Sequence, residues 1–160
     1  MMAVLGVSHI AIGVTDIDRA LIFYRDALGL TVDADYEQSF PADMGPELHG
    51  GRAIQRRQVW LRSSASQSSA LALDQLYTPA PADKRSDIYD LGIHHVAFWV
   101  ADVDAVIQQA LQLGFPAIVP HTASTKDYGE AIVGQIKSVF FRDPDGNLVQ
   151  CDQRVAEGDV

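Results

Sequence analysis

The segment Gly6-Val7-Ser8-His9-Ile10-Ala11-Ile12-Gly13-Val14-Thr15-Asp16 returns later as Gly92-Ile93-His94-His95-Val96-Ala97-Phe98-Trp99-Val100-Ala101-Asp102. Gly6 and Gly92, His9 and His95, and Asp16 and Asp102 are each 86 residues apart. A fixed offset of this kind means that one supersecondary unit is built twice. The whole chain has 160 residues, so each copy is small, and two modules sharing one compact domain are expected.

Each copy opens as a strand, because β-branched residues are dense and a turn follows. In a strand alternate residues share a face. Val7, His9, Ala11 and Gly13 then stand opposite Ile10, Ile12 and Val14, and Ile93, His95, Ala97 and Trp99 stand opposite Val96, Phe98 and Val100. The large aliphatic face suits a covering helix, and both histidines point away from it. Ile17, Ala20, Leu21, Tyr24 and Leu28 follow helical spacing, as do Val103, Val106, Ile107, Ala110 and Leu111. Helices are expected over 16–28 and 102–113, with Asp16 and Asp102 as N-caps and Gly29 and Gly114 as terminators. Residues 58–62, 70–74, 138–142 and 148–152 read as further strands, with Asp143-Pro144-Asp145-Gly146-Asn147 as a turn.

The expected fold is α+β: two tandem βαβββ modules whose sheets form a cupped site, with helices on the outer faces. The boundaries read as 1–76 for the first module, 77–91 for a linker, 92–154 for the second module and 155–160 for a tail. The charge balance, 12 Lys plus Arg against 21 Asp plus Glu, disfavours nucleic acid as a partner. The apolar start is too short to span a membrane and lacks a basic leader, so a cytoplasmic protein without membrane association is expected. The single cysteine, Cys151, cannot form an intrachain disulfide and falls on the helix side of its strand.

Over about residues 4–153 the chain resembles the vicinal oxygen chelate superfamily, which includes glyoxalases, extradiol dioxygenases and bleomycin-resistance proteins. The resemblance is carried by Val7-Ser8-His9-Ile10-Ala11-Ile12, by Phe23-Tyr24-Arg25-Asp26-Ala27-Leu28-Gly29-Leu30, by Gly92-Ile93-His94-His95-Val96-Ala97-Phe98, and by Phe141-Arg142-Asp143-Pro144-Asp145-Gly146-Asn147-Leu148. It implies a divalent metal (iron, manganese, nickel or zinc) held by the first and last strands of each module. His9 and His95 fall on two of the four ligand positions. Gln150 stands where a glutamate is usual, and Ala72 occupies the fourth position within a register uncertainty of about two residues. Asp152 and Asp74 lie two residues further along the same strand faces, so His9, His95 and Asp152 would make a two-histidine, one-carboxylate set.

His94 is given a structural role, and His49 and His121 are assigned to loops. Tyr36–Gly51 and His121–Gly134 are read as loops over the site, with Tyr36, Glu37, Tyr128 and Glu130 as candidates for substrate contact or proton transfer; Tyr128 and Glu37 are the catalytic candidates. Arg52, Arg56, Arg57 and Arg62 are read as a solvated sheet edge, with a carboxylate or phosphate receptor as the alternative. Two functions follow. One is a metal-dependent lyase, isomerase or dioxygenase acting on a small oxygen-chelating substrate. The other is a metal-free protein that binds or sequesters a small molecule, as bleomycin-resistance proteins do. A homodimer is expected in either case.

Overall fold

The computed structural model describes residues 6–44, 50–63, 69–81, 91–125 and 135–155, with 120–125 described by backbone alone. The chain divides into two compact units, Met1–Asp83 and Lys84–Val160. Each has the order βαβββ, and the fold is α+β as the repeat implies.

In the first unit β1 (His9–Gly13), β2 (Thr31–Phe40), β3 (Ile54–Arg62) and β4 (Ala70–Thr78) form a four-stranded sheet in the order β1-β4-β3-β2. Strands β1 and β4 are parallel, and the other pairs are antiparallel. Helix α1 starts as an α-helix over Ile17–Leu21 and widens to a π-helix over Ile22–Ala27. Its wide turn is visible in the bond from the Leu28 amide to the Phe23 carbonyl, 3.0 Å long. The extra residue in the turn buries Phe23, Tyr24 and Ala27. Leu28, expected at the apolar seam, is left half-buried. The chain then turns at Gly29, whose φ of 76° suits glycine.

The second unit repeats this plan with β5 (His95–Trp99), α2 (Val103–Gln112), β6 (Val119–Thr125), β7 (Gln135–Arg142) and β8 (Leu148–Val155), in the sheet order β5-β8-β7-β6. The helix entries superpose in detail. Asp16 caps α1 by accepting from the Arg19 amide, and Asp102 caps α2 by accepting from the Ala105 amide, at backbone angles that agree within one degree. Gln75 Oε1 accepts from the Ile17 amide at 3.0 Å, and Gln153 Oε1 accepts from the Val103 amide at 2.9 Å. Each glutamine thus ties its last strand to the first turn of its helix, where amides lack intrahelical partners.

The core lies under these helices. Val59, Leu61, Leu71 and Leu73 are buried with Ile17, Ala20 and Leu21 in the first unit; Val139, Phe141, Val149 and Cys151 are buried with Val103 and Ala110 in the second. Leu111, assigned to the apolar face of α2, is instead 60% exposed.

Three other expectations are corrected. Residues 36–40 belong to β2 and residues 121–125 to β6, so neither stretch is loop. The charges of Asp33, Asp35 and Glu37 hid β2, but β2 is an edge strand whose solvated side tolerates them. Arg56, Arg57 and Arg62 are not on a sheet edge, because β3 lies between β4 and β2. Finally, β4 runs to Thr78, past residue 76.

Candidate functional site

The face of each sheet opposite its helix carries the repeated histidine. In the first unit His9 pairs in register with Ala70, Ala11 with Ala72, and Gly13 with Asp74. In the second unit His95 pairs with Leu148, Ala97 with Gln150, and Trp99 with Asp152. Ala72 and Gln150 are therefore equivalent positions, as are Asp74 and Asp152. The residue preceding each histidine occupies its Nδ1: Ser8 Oγ lies 3.0 Å from His9 Nδ1, and His94 Nδ1 lies 2.7 Å from His95 Nδ1. Neither histidine's Nε2 has a hydrogen-bond partner among the described residues. Each imidazole also meets an aromatic ring from the third strand: Trp60 at 4.8 Å from His9, and Phe140 at 6.1 Å from His95. Burial first, and the neighbouring His94 second, push the His95 imidazole below its usual range against the pull of Asp152, which favours the neutral ring at pH 7.

Around Gln58 the first face builds a closed polar network. Gln58 is 6% exposed and sits between Asp74 on β4 and Tyr36 on β2. Its Oε1 accepts from the Tyr36 hydroxyl at 2.9 Å and from Trp60 Nε1 at 2.8 Å. Its Nε2 donates to Asp74 Oδ1 and Oδ2 at 2.9 and 3.1 Å. Trp60 Nε1 also donates to the Tyr36 hydroxyl at 2.6 Å. Arg56 completes the set, with Nη1 2.9 Å from Asp74 Oδ1 and Nε donating to Gln38 Oε1 at 2.9 Å. Of these residues only Asp74 is expected on this face from strand spacing; Tyr36 is expected in a loop over the site and Arg56 at a sheet edge, while Gln58 and Trp60 are expected only as strand residues. The available signal was the alternation Arg56, Gln58, Trp60, which puts three polar or amphipathic side chains on one side of a strand.

The second face carries its own buried polar group. Gln150 and Asp152 are 6% and 4% exposed. Gln150 Nε2 donates to Asp152 Oδ1 at 2.7 Å and Oδ2 at 2.9 Å, and the Ser138 hydroxyl donates to Asp152 Oδ1. Burial pushes the neighbouring Cys151 thiol up to about 12, and it faces the helix.

Glu37 lies on the opposite side of β2 from Tyr36. It accepts from the Tyr77 hydroxyl at 3.4 Å and pairs in register with Arg57, whose guanidinium binds Asp18 and Asp35. The hydroxyl on the histidine face is that of Tyr36. Tyr128, Glu130 and His49 lie outside the described residues, and His121 is described by its backbone in β6.

A divalent ion needs lone pairs that no other group is using. Ala72 offers none. Asp74 already holds a guanidinium, which would repel a second cation. Both oxygens of Asp152 accept internal donors. Among the described residues no three His, Cys, Asp or Glu side chains group as they would around a metal ion. As they stand, the carboxylates are committed to internal partners and do not fit a resident metal.

The model of the Glyoxalase/Bleomycin resistance protein/Dioxygenase superfamily matches residues 6–151. Among solved structures, a glyoxalase family protein from Bacillus cereus is similar at 16% identity and TM-score 0.75, with 97% of each chain covered. An antibiotic-binding protein from a Streptomyces species is similar at 20% identity and TM-score 0.60, covering 97% of this chain and 100% of that one. A glyoxalase/dioxygenase from Nostoc punctiforme is similar at 19% identity and TM-score 0.61, covering 98% and 99%. No curated protein matches the chain. Among the described residues no helix is long and apolar enough to cross a membrane.

Proposed function

From the premise that this chain belongs to the Glyoxalase/Bleomycin resistance protein/Dioxygenase superfamily, we propose that it binds a small organic molecule without a metal. The observation that carries this reading is the internal use of the carboxylates on the histidine faces. Asp74 is held by Arg56 and Gln58, and Asp152 by Gln150 and Ser138. Polar side chains fixed by one another, with the half-buried Trp60 and the more exposed Tyr36 beside them, suit recognition of an organic ligand by stacking and hydrogen bonding. A similar structure that is an antibiotic-binding protein supports the same reading.

The test is metal content and ligand response together. Untagged protein purified without chelator should carry little metal, and iron(II), manganese, nickel and zinc should not raise its melting temperature. A library of small aromatic compounds should contain ligands that do. Near-stoichiometric metal that disappears in His9→Ala would overturn the proposal.

A second reading, a divalent-metal enzyme with His9, His95 and Gln150 as ligands, has one observation in its favour. In both units Nδ1 is engaged by the preceding residue while Nε2 has no partner among the described residues, an arrangement that orients an imidazole for ligation. Under that reading Gln150→Glu tightens metal binding, because the new carboxylate compensates the ion's charge. The homodimer belongs to the same proposal, and a monomer at micromolar concentration in light scattering refutes it.

A further inference from the structure

The arginines of β3 are not used alike. Arg57 is fully engaged on the helix side: its Nε and Nη2 donate to Asp35 at 3.0 and 2.8 Å, and its Nη1 to Asp18 at 2.8 Å. The guanidinium beside Asp35 holds that carboxyl below its usual range, and the two carboxylates raise Arg57. Arg56, on the histidine face, is only partly engaged. Its Nε is given to the neutral Gln38 and its Nη1 to one oxygen of Asp74. Its Nη2 has no hydrogen-bond partner among the described residues.

Arg56 is also held in place. The Phe40 ring lies 5.3 Å from its guanidinium carbon, Gln38 fixes Nε, and Asp74 fixes Nη1. Asp74 is in turn held by both contacts from Gln58. A guanidinium immobilised on three sides meets an incoming anion with little further loss of rotamer freedom. Its side chain retains 27% exposure, so its outer edge is reachable. The side chains of Trp60 and Tyr36 converge on Gln58 from the other end of the same face.

We propose that Arg56 is an anion receptor, so that the ligand of the first sheet is an organic anion: a carboxylate or similar anionic oxygen on a flat body that stacks near Trp60. This rests on the metal-free reading above and deepens it. The Arg56 guanidinium supplies positive charge at this end of the face, while Arg62, at the end beside His9, is bound to Asp33; a charge-assisted hydrogen bond from Nη2 selects the anion. Asp74 opposes the anion electrostatically while it positions the receptor. Removing the aspartate's charge therefore has a defined sign: it strengthens anion binding.

The probes are benzoate and benzamide, nearly identical in shape and different in charge. Binding to the full chain is measured by calorimetry and by Trp60 emission in a Trp99→Phe background. Benzoate is expected to bind about tenfold more tightly than benzamide. Arg56→Gln should level the two, and Arg56→Lys should keep part of the difference. Asp74→Asn, which retains Arg56, should tighten benzoate binding severalfold relative to benzamide. Equal affinities in the unaltered protein would overturn the anion receptor and leave small-molecule binding standing. Asp74→Asn weakening benzoate, or leaving it unchanged, would also overturn the receptor. Failure of both probes to bind at millimolar concentration would refute the anion receptor, and an empty screen of uncharged compounds besides would refute metal-free binding.

Discussion

Replacing Gln58 with Met should cost the first unit about 2 kcal/mol, since methionine keeps the length and volume and removes only the amide. The partners determine that figure. Trp60 Nε1 loses one acceptor but keeps the Tyr36 hydroxyl at 2.6 Å, so it contributes little. Tyr36 is 37% exposed, and water replaces its lost acceptor at a cost of about 0.5 kcal/mol. Asp74 loses both contacts from Nε2. Hydrogen bonds to a charged group are worth about 1.5–3 kcal/mol, and the retained Arg56 places this loss at the lower end. Urea unfolding followed by Trp60 emission, with Trp99→Phe as background, reports the first unit by itself. For a unit of this size, Met1–Asp83, the melting temperature should fall by about 8–16 °C. The double variant with Asp74→Asn should be less unstable than the sum of the two single changes, by about 1 kcal/mol or more. A loss below about 0.5 kcal/mol, or strict additivity with Asp74→Asn, would refute the network as a source of stability.

Three further outcomes are expected. Cys151 is fully buried with its thiol pushed up to about 12, so a thiol reagent at pH 8 should label it only on unfolding; prompt labelling of the native protein would contradict the burial. The same shift has a sign for stability. The unfolded thiol ionises near 9 and the folded one does not, so stability falls as pH rises above 9, by up to about 1.4 kcal/mol per unit, and a Cys151→Val protein should show a flatter curve. Asp16→Ala and Asp102→Ala should each cost about 1 kcal/mol by thermal or urea unfolding, and a difference larger than that between the two would contradict the equivalence of the caps.

The repeat made the architecture legible, because Asp16 and Asp102 mark helix starts and the strand alternation separates the histidine face from the core. It also made Ala72 and Gln150 equivalent, which the pairing of Ala11 and Ala97 with them bears out. Strand β2 was harder to read because its stability comes from cross-strand charge pairs. Asp33 with Arg62 and Asp35 with Arg57 become visible only once β2 and β3 are aligned. The network around Gln58 was hidden for a related reason. It joins three strands, and nothing local to Gln58 announces partners 16 and 22 residues away. Leu28 departs from its expected place because a helical seam read from spacing assumes 3.6 residues per turn, whereas α1 contains a π-turn; Leu111 lies beyond the covered stripe of α2, where Val103 and Ala110 are buried.

The tie from Gln75 to the first turn of α1 has a neighbour with another duty. Asp74, one residue earlier, turns its side chain to the opposite face, where it holds Arg56, while its carbonyl accepts from the Val14 amide at 2.9 Å. Asp152 and Gln153 stand in the same relation to Val100 and α2. Adjacent residues on one strand therefore divide into a hinge-pin and a reading head. The pins are alike in the two copies, whereas the heads differ: Trp60 against Phe140, Gln58 against Ser138, Arg56 against Ile136. For a protein engineer this separates frame from lettering. New chemistry can be written at 56, 58 and 60, or at 136, 138 and 140, while the joint that fastens each helix to its sheet is left untouched.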